Sequence, residues 1–408
     1  MTLLILAAAL AAQQPELRDA ATVASLLASL RTADPAVCEM AGRTMTNQWG
    51  WSASLTDEPM PTPMPMPIPM PMPFAGGGGG FPAPMVDRRA DRALDVKVLA
   101  VFRTALRDQS RCIRRIAARM VAHEAPAWAA SDFSALTRDA DAGLRENGLL
   151  GLGELEDPRT IDTITRALGD REISVRAMAA WALGELEDPG AIPALGKALA
   201  DPSPLVRRRA AWAMGEIESA LAVPVLRRAL ADSDLEVRRT AIWAVGEIED
   251  ASAVDVLAPL VKDGDPRVRR MAIWALGEIE SGRAVAHLAS AVRDSDRDVK
   301  LTALWAIGEI EDTAGVAIAG SALGDRDPEV RRMAAWALGQ IESASAVRSL
   351  TPLLKDPDTN VRIVTAWALG QIESGSALPA LEAANNDASP AVRRAVRWAI
   401  RQIDDERR

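Results

Sequence analysis

Tryptophan recurs every 31 residues through the second half of this chain, at Trp181, Trp212, Trp243, Trp274, Trp305, Trp336, Trp367 and Trp398. Aspartate keeps the same step over a longer stretch, at Asp108, Asp139, Asp170, Asp201, Asp232, Asp263, Asp294, Asp325, Asp356 and Asp387. A fixed period of this length marks a repeat array, in which each unit cannot bury its apolar face alone and stacks on its neighbours. The aromatic inventory agrees, because 11 Trp, 4 Phe and no Tyr is what copying one Trp-bearing unit would leave.

One unit, residues 263–293, reads DGDPRVRRMAIWALGEIESGRAVAHLASAVR. Two residues after each periodic Asp stands a residue suited to cap a helix: Ser110, Asp141, Ser203, Asp234, Asp265, Asp296, Asp327, Asp358 and Ser389, with Glu172 the exception. Pro204, Pro266, Pro328 and Pro390 follow at the first helical position. Val330, Ala334, Ala337, Leu338 and Ile341 then form an apolar stripe at helical spacing. A short Ser/Asp/Gly turn leads to a second helix, such as Ala346 to Leu354. The unit is a helical hairpin, and the chain is predicted to be all-α.

The D-P-x-V-R and A-L-G-x-I-E signature resembles HEAT repeats, in particular the short 31-residue kind of phycobilisome-lyase-like proteins. The likeness runs from about Glu16 to Asp405. It implies a right-handed α-solenoid of about eleven two-helix repeats, with the D-P-x-V-R helices lining the concave face. It also implies that the column Arg176, Arg207, Arg238, Arg269, Lys300, Arg331, Arg362 and Arg393 is structural, forming an Asp–Arg ladder between neighbours.

The register divides the chain into residues 1–15, a signal peptide; 16–48, a first helical hairpin; 49–87, a Met/Pro/Gly-rich insertion; 88–138, degenerate repeats; and 139–408, regular repeats. The opening MTLLILAAALAAQQ has an apolar run and small residues suited to cleavage, so export is expected, although its start lacks Lys and Arg. Ten apolar residues are too few to span a membrane as a helix.

At ~100° per residue, Trp336 falls far round the helix from the stripe. The Trp column is therefore expected on the exposed, inner face. Arg208, Arg239, Arg270 and Arg332 stand one turn before it, and Glu216, Glu247, Glu278 and Glu309 one turn after. Large amphipathic rings in a groove act as binding anchors, whereas the alternative is that they only pack over Arg stems. The expected function is a non-catalytic scaffold for a protein or an extended, Pro-rich peptide, since one polyproline II turn of ~9.3 Å matches the spacing of stacked helices.

The insertion from Pro59 to Met85 reads as a polyproline II rod with a Gly hinge. It is a solvated linker, a segment that docks in the Trp groove, or a Met-rich Cu(I) site. Cys38 and Cys112 flank it, so in an exported chain they are expected to form a disulfide. No cofactor is expected, and the lone His123-Glu124 pair lacks the ligand count for a metal. A net charge of −9 argues against nucleic acid. The enzyme alternatives are a chromophore-lyase-like or other HEAT-fold catalyst, and a further one is an accessory or sensor module of an envelope protease system. The absence of a distinctive polar cluster on the inner face counts against catalysis.

Overall fold

The computed structural model describes residues 19–31 and 94–406. The export segment, the insertion and Cys38 lie outside them. Every regular element among the described residues is helical, and the chain is an all-α array of stacked helical hairpins. It divides into two compact units, one ending at Leu221 and the next running from Ala222, a division the period does not reveal.

The first unit contains α1 (Ala20–Leu30), α2 (Val96–Ala105), α3 (Arg111–Glu124), α4 (Ala129–Leu136), α5 (Ala142–Glu154), α6 (Ile161–Ala167), α7 (Ile173–Glu185), α8 (Ile192–Ala198) and α9 (Pro204–Glu216). The second contains α10 (Val223–Leu230), α11 (Leu235–Glu247), α12 (Val254–Leu257), α13 (Pro266–Glu278), α14 (Val285–Leu288), α15 (Arg297–Ile310), α16 (Gly315–Gly320), α17 (Pro328–Gln340), α18 (Val347–Leu350), α19 (Thr359–Gln371), α20 (Leu378–Ala384) and α21 (Pro390–Glu406). From α3 onward the odd-numbered helices are the long first helices of the hairpins, and the even-numbered ones are the shorter second helices.

The long helices begin where the caps predict. Asp141, Asp234, Asp265, Asp296, Asp327 and Asp358 accept from backbone N–H groups of the first turn, whereas Ser110, Ser203 and Glu172 make no side-chain cap. The second helices are shorter than expected. The span Ala346–Leu354 becomes the single turn α18 followed by a 3₁₀ stretch, Thr351–Lys355, because Pro352 supplies no N–H to continue the helix. Along α17 the predicted stripe is fully formed, with Val330, Ala334, Ala337, Leu338 and Ile341 all buried.

The Asp–Arg ladder is present in both units, with a break at Arg238, which holds the Asp232 carbonyl of its own repeat and does not pair with Asp263. In the first, Arg145 grips Asp170 at 2.7 Å and Arg176 grips Asp201 at 2.6 Å. In the second, Arg269, Arg331 and Arg362 grip Asp294, Asp356 and Asp387, each at 2.8 Å, and Lys300 reaches Asp325 at 2.7 Å. Each arginine uses Nε and Nη2 on the aspartate of the following repeat, a bidentate pair that fixes direction as well as distance. Its Nη1 turns back to its own repeat, as Arg331 does to the Asp325 carbonyl at 2.9 Å. The receiving aspartate also accepts from the N–H of the next capping residue, as Asp356 does from Asp358 at 2.8 Å.

Burial pushes the carboxyls of Asp170, Asp201, Asp294, Asp325, Asp356 and Asp387 up, but the hydrogen bonds from the ladder cations and cap N–H groups outweigh it and hold each below the ordinary 3.8. A depressed carboxyl stabilises the fold fully above its unfolded value, and that contribution is lost as pH falls through the folded value. Thermal melts should therefore show a midpoint that drops steeply below pH ~4. An Arg331→Gln chain should be ~1–3 kcal/mol less stable at neutral pH and lose less on acidification. A parent midpoint unchanged down to pH ~3 would contradict the ladder's role.

Candidate functional site

The Trp column does not lie open on the face where the helical wheel places it. Trp212, Trp305 and Trp336 are buried, with 6%, 6% and 8% of their surface exposed, and Trp181, Trp243, Trp274, Trp367 and Trp398 are half-buried. The wheel measures position against one apolar stripe, the one facing the hairpin's own second helix. A long helix in a stack also touches the long helices before and after it, and the indoles occupy the flank turned to the preceding one.

Their seat is the glycine of the A-L-G motif one repeat earlier. A Cβ on Gly153 would stand 2.8 Å from Cζ3 of Trp181, and one on Gly184 would stand 3.0 Å from Cζ3 of Trp212. In the second unit Gly246, Gly277, Gly308, Gly339 and Gly370 meet Trp274, Trp305, Trp336, Trp367 and Trp398 in the same way, at 2.5–3.0 Å. The same hypothetical Cβ would also touch the alanine that follows each tryptophan, such as Ala337 beside Gly308. Glycine is required here for close approach of two helices, with the six-membered ring laid over the bare backbone.

The sequence keeps this pairing at both ends of the column. One period before Gly153 stands Ala122, and one period before Trp181 stands Leu150. One period after Gly370 stands Arg401, which no later tryptophan follows. Glycine occurs only where the next repeat brings an indole.

The charged columns flanking the indoles are engaged as well. Arg239 pairs with Glu236 at 2.9 Å, Arg332 pairs with Glu329, and Arg270 reaches Asp298 of the next repeat at 3.3 Å. Arg208 is half-buried on α9, and Glu216 is half-buried at its end. In the second unit Trp274 donates to Glu278, and Trp305 donates to Glu309. Burial pushes the Glu278 carboxyl up, and Glu247 and Glu309 on the adjoining helices push it further. Burial likewise raises Glu309, with added repulsion from Glu280 and Glu311.

Those last residues belong to a second acidic column, at the turn after each long helix. Glu156, Glu187, Glu218, Glu249, Glu280, Glu311, Glu342 and Glu373 all adopt left-handed backbone, with φ between 48° and 52°. This conformation costs an L-residue ~1–2 kcal/mol, and glycine usually fills it.

Cys112 is disulfide-bonded, and Cys38, the other cysteine of the chain, lies outside the described residues. Glu124 accepts from the Leu94 N–H at 3.0 Å, which gives the His123-Glu124 pair a structural task. No group of three or more metal-ligating side chains gathers among the described residues, and no described helix is long and apolar enough to cross a membrane. One expectation fails: the long-helix face does carry a distinctive polar cluster, around Arg111, Arg115, Arg119 and Arg209 in the first unit. The interrupted Trp column at Leu150 and Arg119 was the sequence signal for it.

A family model described as HEAT repeats matches residues 130–201, 165–237, 192–263, 229–297, 285–359 and 347–408, which together run without a gap from 130 to 408. No curated protein matches the chain by sequence. Among solved structures it is similar to importin beta, with a TM-score of 0.62 at 14% identity, covering 94% of this chain and 57% of that one. It is also similar to an engineered protein, with a TM-score of 0.45 at 23% identity over 75% of this chain and 98% of that one. Human deoxyhypusine hydroxylase in complex with glycerol aligns with a TM-score of 0.29 at 24% identity, over 60% and 96% of the two chains.

The seat is testable by overpacking. Gly308→Ala should cost ~1–3 kcal/mol of unfolding free energy, measured by urea denaturation. Adding Trp336→Leu, the combination that Ala122 and Leu150 use, should cost less than the sum of the two single changes. Strict additivity would mean that glycine and indole do not act as a pair.

Proposed function

Because this chain belongs to the HEAT-repeat family, whose model matches well over half of it, we propose that it is a non-catalytic scaffold holding an extended, basic segment of a partner protein. The observation that carries this reading is the carboxylate row on the second unit. Glu247, Glu278 and Glu309 stand on successive long helices; burial, with Glu247, Glu309 and Glu249 nearby, pushes the Glu278 carboxyl up, and burial, with Glu280 and Glu311 nearby, pushes that of Glu309 up. They sit at helix C-termini, where the backbone dipole is already negative. Such an arrangement destabilises the free protein, and a cationic segment laid along it would relieve the repulsion.

The half-buried indoles Trp243 and Trp274 supply apolar edges beside the row, a smaller contribution than an open Trp groove would make. A Pro-rich backbone suits the site, because one polyproline II turn of ~9.3 Å would bring a side chain to each repeat. The same residue types recur from repeat to repeat, which favours extended recognition over a single reaction centre. The acidic row also disfavours nucleic acid as the ligand. Export fits the disulfide at Cys112, since such bonds persist in oxidising compartments.

The reading predicts that an extended Arg-Pro repeat peptide binds the full chain in fluorescence anisotropy, and that an Ala-Pro peptide of equal length does not. Raising salt should weaken the complex, and Glu278→Gln with Glu309→Gln should weaken it about ten-fold, as expected when charge complementarity dominates. Equal binding of both peptides, or none, would sink the proposal.

A further inference from the structure

A cavity of about 440 Å³ opens on the long-helix face of the first unit, between α3, α5, α7 and α9. That volume lies in the range of small-molecule sites. It exists because the indole column stops there. The positions equivalent to Trp181 in the two earlier repeats hold Leu150 and Arg119, so the indole column itself supplies no ring there.

The walls are chemically lopsided. Arg111, Arg115 and Arg119 come down one face of α3, and Arg209 closes the far side from α9. Arg209 breaks its own column, where Met178, Thr240, Met271, Thr302 and Met333 are the equivalents. Among the described lining residues one carboxylate, Glu146, accompanies these four guanidinium groups, and it meets Arg111 at 3.3 Å. Arg119, only 6% exposed, is held from behind by Glu154 at 2.9 Å, so its side chain is fixed at the cavity wall. Leu150, Met178 and Trp181 make the opposite side apolar.

We propose that this cavity binds a small amphipathic anion, with a carboxylate or phosphate head on the arginines and an apolar body against Leu150, Met178 and Trp181. Clustered guanidinium groups recognise such heads through paired, charge-assisted hydrogen bonds. The apolar wall requires a body that a bare inorganic ion lacks. The site lies in the first unit and is independent of the basic-segment surface on the second, so each can fail without the other.

Isothermal titration of the full chain with octanoate and octyl phosphate tests the assignment, with octanol and inorganic phosphate as controls. A peptide ending in Phe-Glu shows whether the same head and body are accepted when a protein terminus carries them. At least one amphiphilic anion should bind at one site per chain, at least ten-fold more tightly than either control. Arg115→Ala and Arg209→Met place residues that this chain uses at the equivalent positions, Ala177 and Met178, and each should weaken binding about ten-fold while the thermal midpoint is kept. Leu150→Trp with Ala122→Gly extends the indole and its glycine seat by one repeat, fills the cavity, and should abolish binding in a folded chain. Absence of binding by all the amphiphiles, controls that bind as tightly, or affinity unchanged in both arginine variants and the filled variant would overturn the proposal.

Discussion

The three-way contact at the periodic aspartates Asp170, Asp201, Asp294, Asp356 and Asp387 sets the spacing on which much else rests. Each carboxylate receives two N–H groups from the preceding repeat's arginine and one from the backbone that starts its own long helix, as at Asp356. The same arginine holds a carbonyl of its own repeat, as Arg331 does at Asp325. One residue pair thus ties the end of a second helix, the start of the next long helix and the neighbouring hairpin together. A lone surface ion pair would contribute little. These are largely shielded, bidentate and braced by backbone groups, so their value lies in fixing direction, and the apolar stripes then supply the bulk of the burial energy.

With direction fixed, approach distance becomes the next constraint, and the Gly–Trp seat settles it. Bare backbone at Gly308 or Gly339 lets the next long helix come close enough for its indole and alanine to touch. The indole also has a polar N–H to satisfy; at Trp274 and Trp305 the glutamate one turn later takes it, whereas the buried Nε1 of Trp212 has no hydrogen-bond partner. That contact holds the carboxylates in a half-buried row, where they repel one another. The acidic surface is therefore a by-product of how the tryptophans are packed and capped.

Much of this was legible in the sequence. The period, the caps and the apolar stripe led to the hairpin, because each is local or repeats at fixed distance, and the resemblance to HEAT repeats implied the ladder, which forms at most of its positions but not at Arg238. The flank occupied by the tryptophans was misplaced, because a single helical wheel recognises one buried face whereas a stacked helix has three. The cue was present in the pairing of glycine with the next repeat's tryptophan, which ends at Ala122 and Leu150 on one side and at Arg401 on the other. The arginine-lined cavity escaped notice for a related reason. It is marked by what the repeat lacks at Leu150, and a missing ring draws less attention than a recurring one.

A chain built from copies can specialise only at positions that do not hold the copies together. Asp, Arg, Gly, Trp and the alanines beside them are committed to the contacts between hairpins, so they carry little information about a ligand. The column one turn before the indoles is less uniformly committed, although Glu146 and Arg270 still pair with neighbouring repeats, and there the copies diverge: Arg115, Glu146, Ala177, Arg208, Arg239, Arg270, Leu301, Arg332, Ile363 and Arg394. The column beside it diverges too, from Asn147 and Met178 through Arg209 to Thr240 and Val364. Both run along the long-helix face, and both contribute arginines to the cavity of the first unit. The columns where the repeat breaks its own pattern are what distinguish the surface of one hairpin from the next, and the regular residues are the frame that presents them.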